Sequence, residues 1–274
     1  MFLLSLPGCQ LWNNWLEFCK WKDDKYVPPR HAMVNPNVEQ GAMRDMPKGE
    51  SLPQVTVFKI TVPVGTLSAN DKVWQQLNED VLDSKTSVLL AQNGLRAGGA
   101  PLARWPAVSK LIDVPGAATE QFLCQTNGRS SLSVVTRPNV TEQIVVSIDR
   151  DLQQQGRTFE KCDNGFRLSM RGFRGKPDLL IQLEPVVTMG TIAVVRSAQE
   201  LGVTRSAYST EESFPDLRMA ASILPDHFFA VAAADPKNNR FSIGSLWLAE
   251  TGHAPQTETI LVFVPTPPPP AAAK

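Results

Sequence analysis

Three histidines, His31, His227 and His253, are the only side chains here whose ordinary pKa lies near neutrality, and just two tyrosines accompany them. His227 follows Asp226 at the start of an apolar run, so the pair has the form of a base with its orienting carboxylate. Its nucleophile would have to be Ser222 or Ser245. The chain has no G-x-S-x-G elbow to hold such a serine, and a polar pair ahead of an apolar strand is ordinary turn chemistry. His31 falls in a proline-rich stretch and His253 in a turn. Asp149, Asp151 and Asp163 lack the spacing and closing Glu of an EF-hand, and Glu211-Glu212 reads as a solvated loop. Gly98-Gly99 follows Asn93-Gly94 closely, yet Ala100-Pro101 stands where a phosphate-cradling loop needs Lys-Ser/Thr. The expectation is no catalytic residue, no metal and no cofactor.

The cysteines are Cys9, Cys19, Cys124 and Cys162, and no C-x-x-C pair exists among them. Zinc fingers and thioredoxin-like redox sites are therefore disfavoured. Cys124 and Cys162 fall in expected strands. They would form a disulfide in an oxidising compartment, or serve as small buried apolar residues. Basic and acidic residues balance at 27 each, which leaves no electrostatic footprint for nucleic acid. No run approaches the roughly 20 apolar residues of a membrane-spanning helix.

The elements that must position these residues are organised around residues 214–265. Apolar runs at 223–234, 243–248 and 260–264 are divided by turn chemistry at 235–239 and 251–257. All three read as strands largely buried in a sheet, which requires cover on both faces; Phe228-Phe229 and Trp247 belong to the core. Ahead of them, residues 55–64 alternate as a strand. Ser68 caps a helix with an apolar stripe at Val73, Trp74, Leu77, Val81 and Leu82. Residues 87–92 read as a strand, Asn93-Gly94 as a turn, and 103–114 as a helix opening near Trp105-Pro106. Six strands follow at 122–125, 131–136, 143–148, 158–162, 166–171 and 179–187. Turns are expected at Asn127-Gly128, Pro138-Asn139, Gln155-Gly156, Asn164-Gly165 and 172–177, with 162–166 as the strongest hairpin signal. The fold class is α+β: a small α+β unit over 54–116, then a mainly antiparallel β sandwich or barrel-like segment over 117–265. Residues 1–53 hold an anchor, a short helix and a Pro-rich tether, and 266–274 a Pro/Ala tail.

Two resemblances bear on location. Residues 1–9, MFLLSLPGC, resemble the lipobox of bacterial lipoproteins, which implies lipidation at Cys9. No basic region precedes Phe2 and the apolar stretch is short, which a start codon assigned too late accounts for; the alternative is a chance apolar N-terminus. Trp12, Trp15, Leu16 and Cys19 then recur at helical spacing, as on a helix lying at a membrane surface or docked on the folded body. Further on, Leu183-Glu184-Pro185, then Gly244, Leu246 and Trp247, then residues 261–265 resemble the strand series of the secretin domain, found in outer-membrane channels of bacterial secretion systems. The V-P-x-L-G-x-x-P element of that family is absent, so the resemblance implies a shortened, non-channel relative, without a catalytic residue to carry over.

The expected function is a non-enzymatic, exported protein of the cell envelope, membrane-anchored and facing the periplasm. It would act as a structural or interaction component among envelope or secretion-system proteins. The alternatives are a β-sandwich binding module for a glycan or peptide, which needs surface aromatics where Trp105 and Trp247 read as core, and a hydrolase built on His227. A soluble location is the alternative to the anchored one.

Overall fold

A computed structural model describes residues 54–125, 131–172, 178–196, 203–252 and 255–266; for 191–196 and 203–209 it describes the backbone alone. Cys9, the tryptophan-rich segment, the tether, His31, His253, the Asn127-Gly128 turn, most of the 172–177 turn and the Pro/Ala tail lie outside the described residues. The order is β1 (Gln54–Pro63), α1 (Asp71–Trp74), α2 (Ser84–Gln92), β2 (Leu95–Pro101), α3 (Trp105–Ile112) and β3 (Ala118–Gln125). Then come β4 (Leu132–Ile148), β5 (Gln154–Gly172), β6 (Leu179–Arg196), β7 (Val203–Ser213), β8 (Met219–Ile223) and β9 (His227–Ala233). The chain closes with α4 (Ile243–Leu248), β10 (Ala249–Glu250) and β11 (Thr257–Thr266).

The fold is α+β with a mainly antiparallel β body in two open sheets. The first runs β2-β9-β11-β1-β3, with β10 beside β11; the second runs β4-β5-β6-β7, with β8 also on β6. The first sheet thus joins strands from both sides of residue 116. It is buried on both faces, as the apolar runs of the C-terminal third require. Along β9, Phe229 and Val231 face one core while Phe228 and Ala230 face another. β1 divides the same way: Val55 and Val57 point toward the second sheet, and Phe58, Ile60 and Val62 toward α1 and α3. Strict alternation in an all-apolar strand is what lets one sheet serve two cores. Trp105 closes the helix-side core edge-on against Phe228, with ring centroids 5.4 Å apart.

Several expectations give way to longer or different elements. Residues 87–92 lie in helix α2, because Asp83 caps it by accepting from Thr86 N at 3.0 Å and Leu89-Leu90 bury one side. Residues 243–248 form helix α4 for a like reason: Ser242 is its N-cap and accepts from Ser245 N at 3.3 Å. Short apolar runs carry no period that separates strand from buried helix. The helix expected from Ser68 to Leu82 shrinks to α1, capped by Asn70, and a 3-10 turn at Glu79–Val81. Asn78 interrupts it by bridging to Gly99, with N···O distances of 2.7 and 2.9 Å. That crossing explains the glycine pair: a Cβ on Gly98 would stand 3.0 Å from Leu77 Cβ, so Gly98-Gly99 is strand β2 and not a loop.

The hairpin expected at 162–166 is also absent. β5 runs straight through Asn164-Gly165, which pair with Val187-Val186 on one side and with Arg137 and Val135 on the other. Gly165 is needed for closeness and not for a turn, since a Cβ there would meet Val134 O at 2.6 Å. The Pro138-Asn139 turn is instead the second of two register breaks within β4, opposite Asp163; Asn139 there and Lys161 further along β5 take φ of +57° and +46°. Gly156 lies inside β5; the chain reverses instead at Asp149–Gln153, where Asp149 Oδ1 accepts from Asp151 N and Gln153 N.

Helix α4 crosses the Asn93-Gly94 turn at backbone contact. A Cβ on Gly244 would lie 1.7 Å from Gly94 O, and one on Gly94, at φ +73°, would lie 2.2 Å from Ser242 Oγ. Gly244→Ala is expected to cost at least about 3 kcal/mol in urea unfolding. Gly156→Ala, with nothing within 4 Å of its Cβ, is expected to stay within about 0.5 kcal/mol of the parent.

Candidate functional site

The residues with chemical potential do not converge on one centre. His227 Nδ1 lies 2.8 Å from Asp226 Oδ1, and that bond holds the Asp226 carboxyl below its ordinary pKa. Among the described residues no hydrogen bond joins His227 to a serine. Ser222 is exposed on β8. Ser245 is buried in α4, at the far end of β9, with Oγ donating to Asn239 O at 2.6 Å. Asp163 Oδ1 accepts from Asn139 N at 2.7 Å and so shapes the β4 irregularity, while Asp149 shapes the β4–β5 turn. Among the described residues no three His, Cys, Asp or Glu side chains converge as metal ligands.

Cys124 and Cys162 are both buried and unbonded, Cys124 in the first sheet and Cys162 in the second. The disulfide is therefore not formed. Burial pushes the Cys124 thiol up to about 11 and raises the Cys162 thiol as well. Neither is expected to react with iodoacetamide in the folded protein at mildly alkaline pH, and both are expected to react after denaturation without reductant. Labelling that required prior reduction would show a disulfide.

What does converge is the joint between the sheets. α4 ends with the carbonyls that every helix leaves unpaired. Leu246 O accepts from Asn164 Nδ2 at 3.0 Å and from Arg137 Nη1 at 3.4 Å, and Ala249 O accepts from Arg137 Nη1 at 3.2 Å. A cation there also suits the negative end of the helix. Asn164, fully buried, exchanges reciprocal amide bonds of 2.8 and 2.6 Å with Gln143. Trp247, also fully buried, donates its indole N–H to Gly165 O at 2.7 Å and Val186 O at 3.2 Å. Its ring meets Phe214 edge-on with centroids 5.7 Å apart. None of these polar partners is visible from spacing, although a buried tryptophan demands an acceptor.

The outer face of the second sheet carries a charged ladder. Glu184 is 5 % exposed and takes Arg218 at 2.8 Å (Nε) and 2.7 Å (Nη2), with Arg167 at 3.4 Å. Arg167 also pairs with Glu211; on the opposite face of the sheet, beside buried Val145 and Val187, Arg157 pairs with Glu212. The two glutamates expected in a solvated loop therefore sit on β7 as partners of β5. The ladder exists where pairing fails: Pro185 has no N–H, so residues 214–218 loop past it between the β7 and β8 registers, and Arg218 returns to Glu184. A lone glutamate inside LLIQLEPVV was the signal for a buried ion pair. Replacing Glu184 with Gln leaves two guanidiniums short of a partner; about 2 kcal/mol of stability is expected to go, measured by urea unfolding.

Beside α2 and β2 lies a groove of about 280 Å³ with an aliphatic floor that includes Leu82, Leu90 and Leu95, and no aromatic lining. Arg96 stands at its rim, bound to Glu79 by two 2.7 Å bonds and stacked 4.6 Å over Trp74. Glu79 holds its guanidinium pKa above the ordinary value. At this rim the two charges of Arg96 and Glu79 match each other.

No protein-family model matches the chain, and neither a curated protein nor a solved structure shows significant similarity to it.

Proposed function

We propose that this chain is a non-enzymatic structural or interaction component of a bacterial cell envelope, exported, held to a membrane through lipid on Cys9, and associated with a secretion apparatus. The observation that carries the reading is contact among the three pieces of the secretin-like series. Trp247 of the Gly244–Trp247 piece donates to Val186, the residue after Leu183-Glu184-Pro185. α4 also packs against β11, which holds residues 261–265. The three pieces meet at one joint, although the middle one is helix α4 and not a strand. A second observation supports anchoring. Gln54 pairs with Thr266, so both described ends of the chain leave from one pole of the first sheet.

The test is the intact mass of the protein purified from its native membrane fraction. The expected product lacks residues 1–8 and carries acyl groups on Cys9. A full-length, unacylated protein confined to the cytosol would overturn the proposal.

A further inference from the structure

The groove beside α2 runs along the outer edge of β2, the end strand of the first sheet. Gly94 O accepts from Ala234 N at 2.8 Å, and Leu102 N donates to Asp226 O at 2.7 Å, so the even-numbered residues of β2 bond to β9. Odd-numbered residues turn their N–H and C=O the other way. Gly99 does so, bonding to Asn78 in both directions. Leu95 and Ala97 point their backbone groups to the same side, and among the described residues nothing there bonds to them. Both are buried, at 1 % and 7 % exposure. Buried backbone groups are nearly always paired. Leu95, Arg96 and Ala97 all line the groove. Successive side chains of a strand face opposite ways, so a cavity that touches three in a row lies against the strand edge itself. The unpaired groups therefore open onto the groove.

The walls select what fits. Asn78 closes one end, where the chain leaves the β2 edge for the 3-10 turn at Glu79–Val81, and the Asn93-Gly94 turn closes the other. Only Leu95 and Ala97 are open between them, which admits about three residues at ~3.3 Å each. α2 stands along the far side through Leu90 and Ala91. A folded sheet, such as the edge of a second copy, cannot pass α2 to reach this edge; a single extended segment can. Residues of that segment opposite Leu95 and Ala97 turn their side chains to the face those two share with Leu82 and Leu90. That floor is aliphatic, so it takes two small aliphatic side chains, two positions apart. The residue between them meets Arg96 and Glu79, whose charges cancel, and needs no charge of its own.

We propose that this groove is a peptide slot. An extended, uncharged segment of a partner protein, aliphatic at two positions two apart, continues the ladder that Asn78 begins and exchanges backbone bonds with Leu95 and Ala97. The slot gives the interaction role a site and a ligand class. It does not depend on the lipid anchor or the secretin resemblance, so an unacylated chain leaves it standing.

The experiment is amide hydrogen exchange on the full chain, read residue by residue by NMR, with acetyl-Val-Thr-Val methylamide as the probe at millimolar concentration. Without the probe, the Leu95 and Ala97 amides are expected to exchange fast while those of Arg96 and Gly98, bonded to β9, stay protected. The probe is expected to slow Leu95 and Ala97 by roughly tenfold or more. The same peptide methylated on both valine nitrogens keeps its side chains and loses its donors, and is expected to have no effect. Ala91→Trp, an exposed position on α2, is expected to keep its circular dichroism and to block the slot. A probe that leaves both amides fast, a methylated peptide that acts equally well, or undiminished protection in Ala91→Trp would overturn the proposal. Leu95 and Ala97 amides already slow in the free chain would show that another part of this chain or a second copy fills the slot, and would overturn it too.

Discussion

The architecture depends on two backbones touching where Gly244 meets Gly94. With the Gly94 carbonyl 1.7 Å from the place of a Gly244 Cβ, the two segments are as close as main chains come. Gly244 N donates to Asn93 O at 2.9 Å, and Ala234 N donates to Gly94 O at 2.8 Å. That crossing seats α4, and α4 seats Trp247 between the sheets. Asn93 extends the same joint outward: its amide donates to Ile148 O and accepts from Ile148 N, both at 2.9 Å, clipping the β4–β5 hairpin to the end of α2. Once these contacts are set, the apolar faces of the two sheets have only one way to meet.

Buried polar groups set the remaining freedom. Glu258, 1 % exposed, accepts from the backbone N–H groups of Gly65, Leu67 and Ser68 and so gathers the β1–α1 loop over the end of β11. Glu184 does similar work on the second sheet with guanidiniums in place of amides. A buried carboxylate is costly unless satisfied. Each therefore tolerates one arrangement of its surroundings, and specificity comes from that intolerance more than from net stabilisation.

The sequence made the double-sided strands legible because β1, β9 and β11 are patterned for nothing else. It misled at the joint. SIGSLWL is apolar enough for a strand, and only the glycine against Gly94 and the Ser242 cap make it a helix. Asn164-Gly165 carries the strongest hairpin signature in the chain, yet both residues answer to packing: the asparagine to Gln143 and the α4 carbonyls, the glycine to Val134 O. Turn chemistry reads local backbone need and is blind to a neighbour such as Leu246, which arrives from 82 residues away. The ion ladder was not, because Arg157, Arg167 and Arg218 become partners of Glu184, Glu211 and Glu212 only through register.

The claim on which this rests is that one side chain, Trp247, couples both sheets into a single cooperative body. Hydrogen exchange on Trp247→Phe tests it directly, because the ring stays and the two indole hydrogen bonds go. Coupling predicts that protection falls by a similar amount, about 2 kcal/mol, in β5 and β6 of one sheet and in β9 and β11 of the other. Loss confined to β5 and β6, with the first sheet as protected as before, would contradict it.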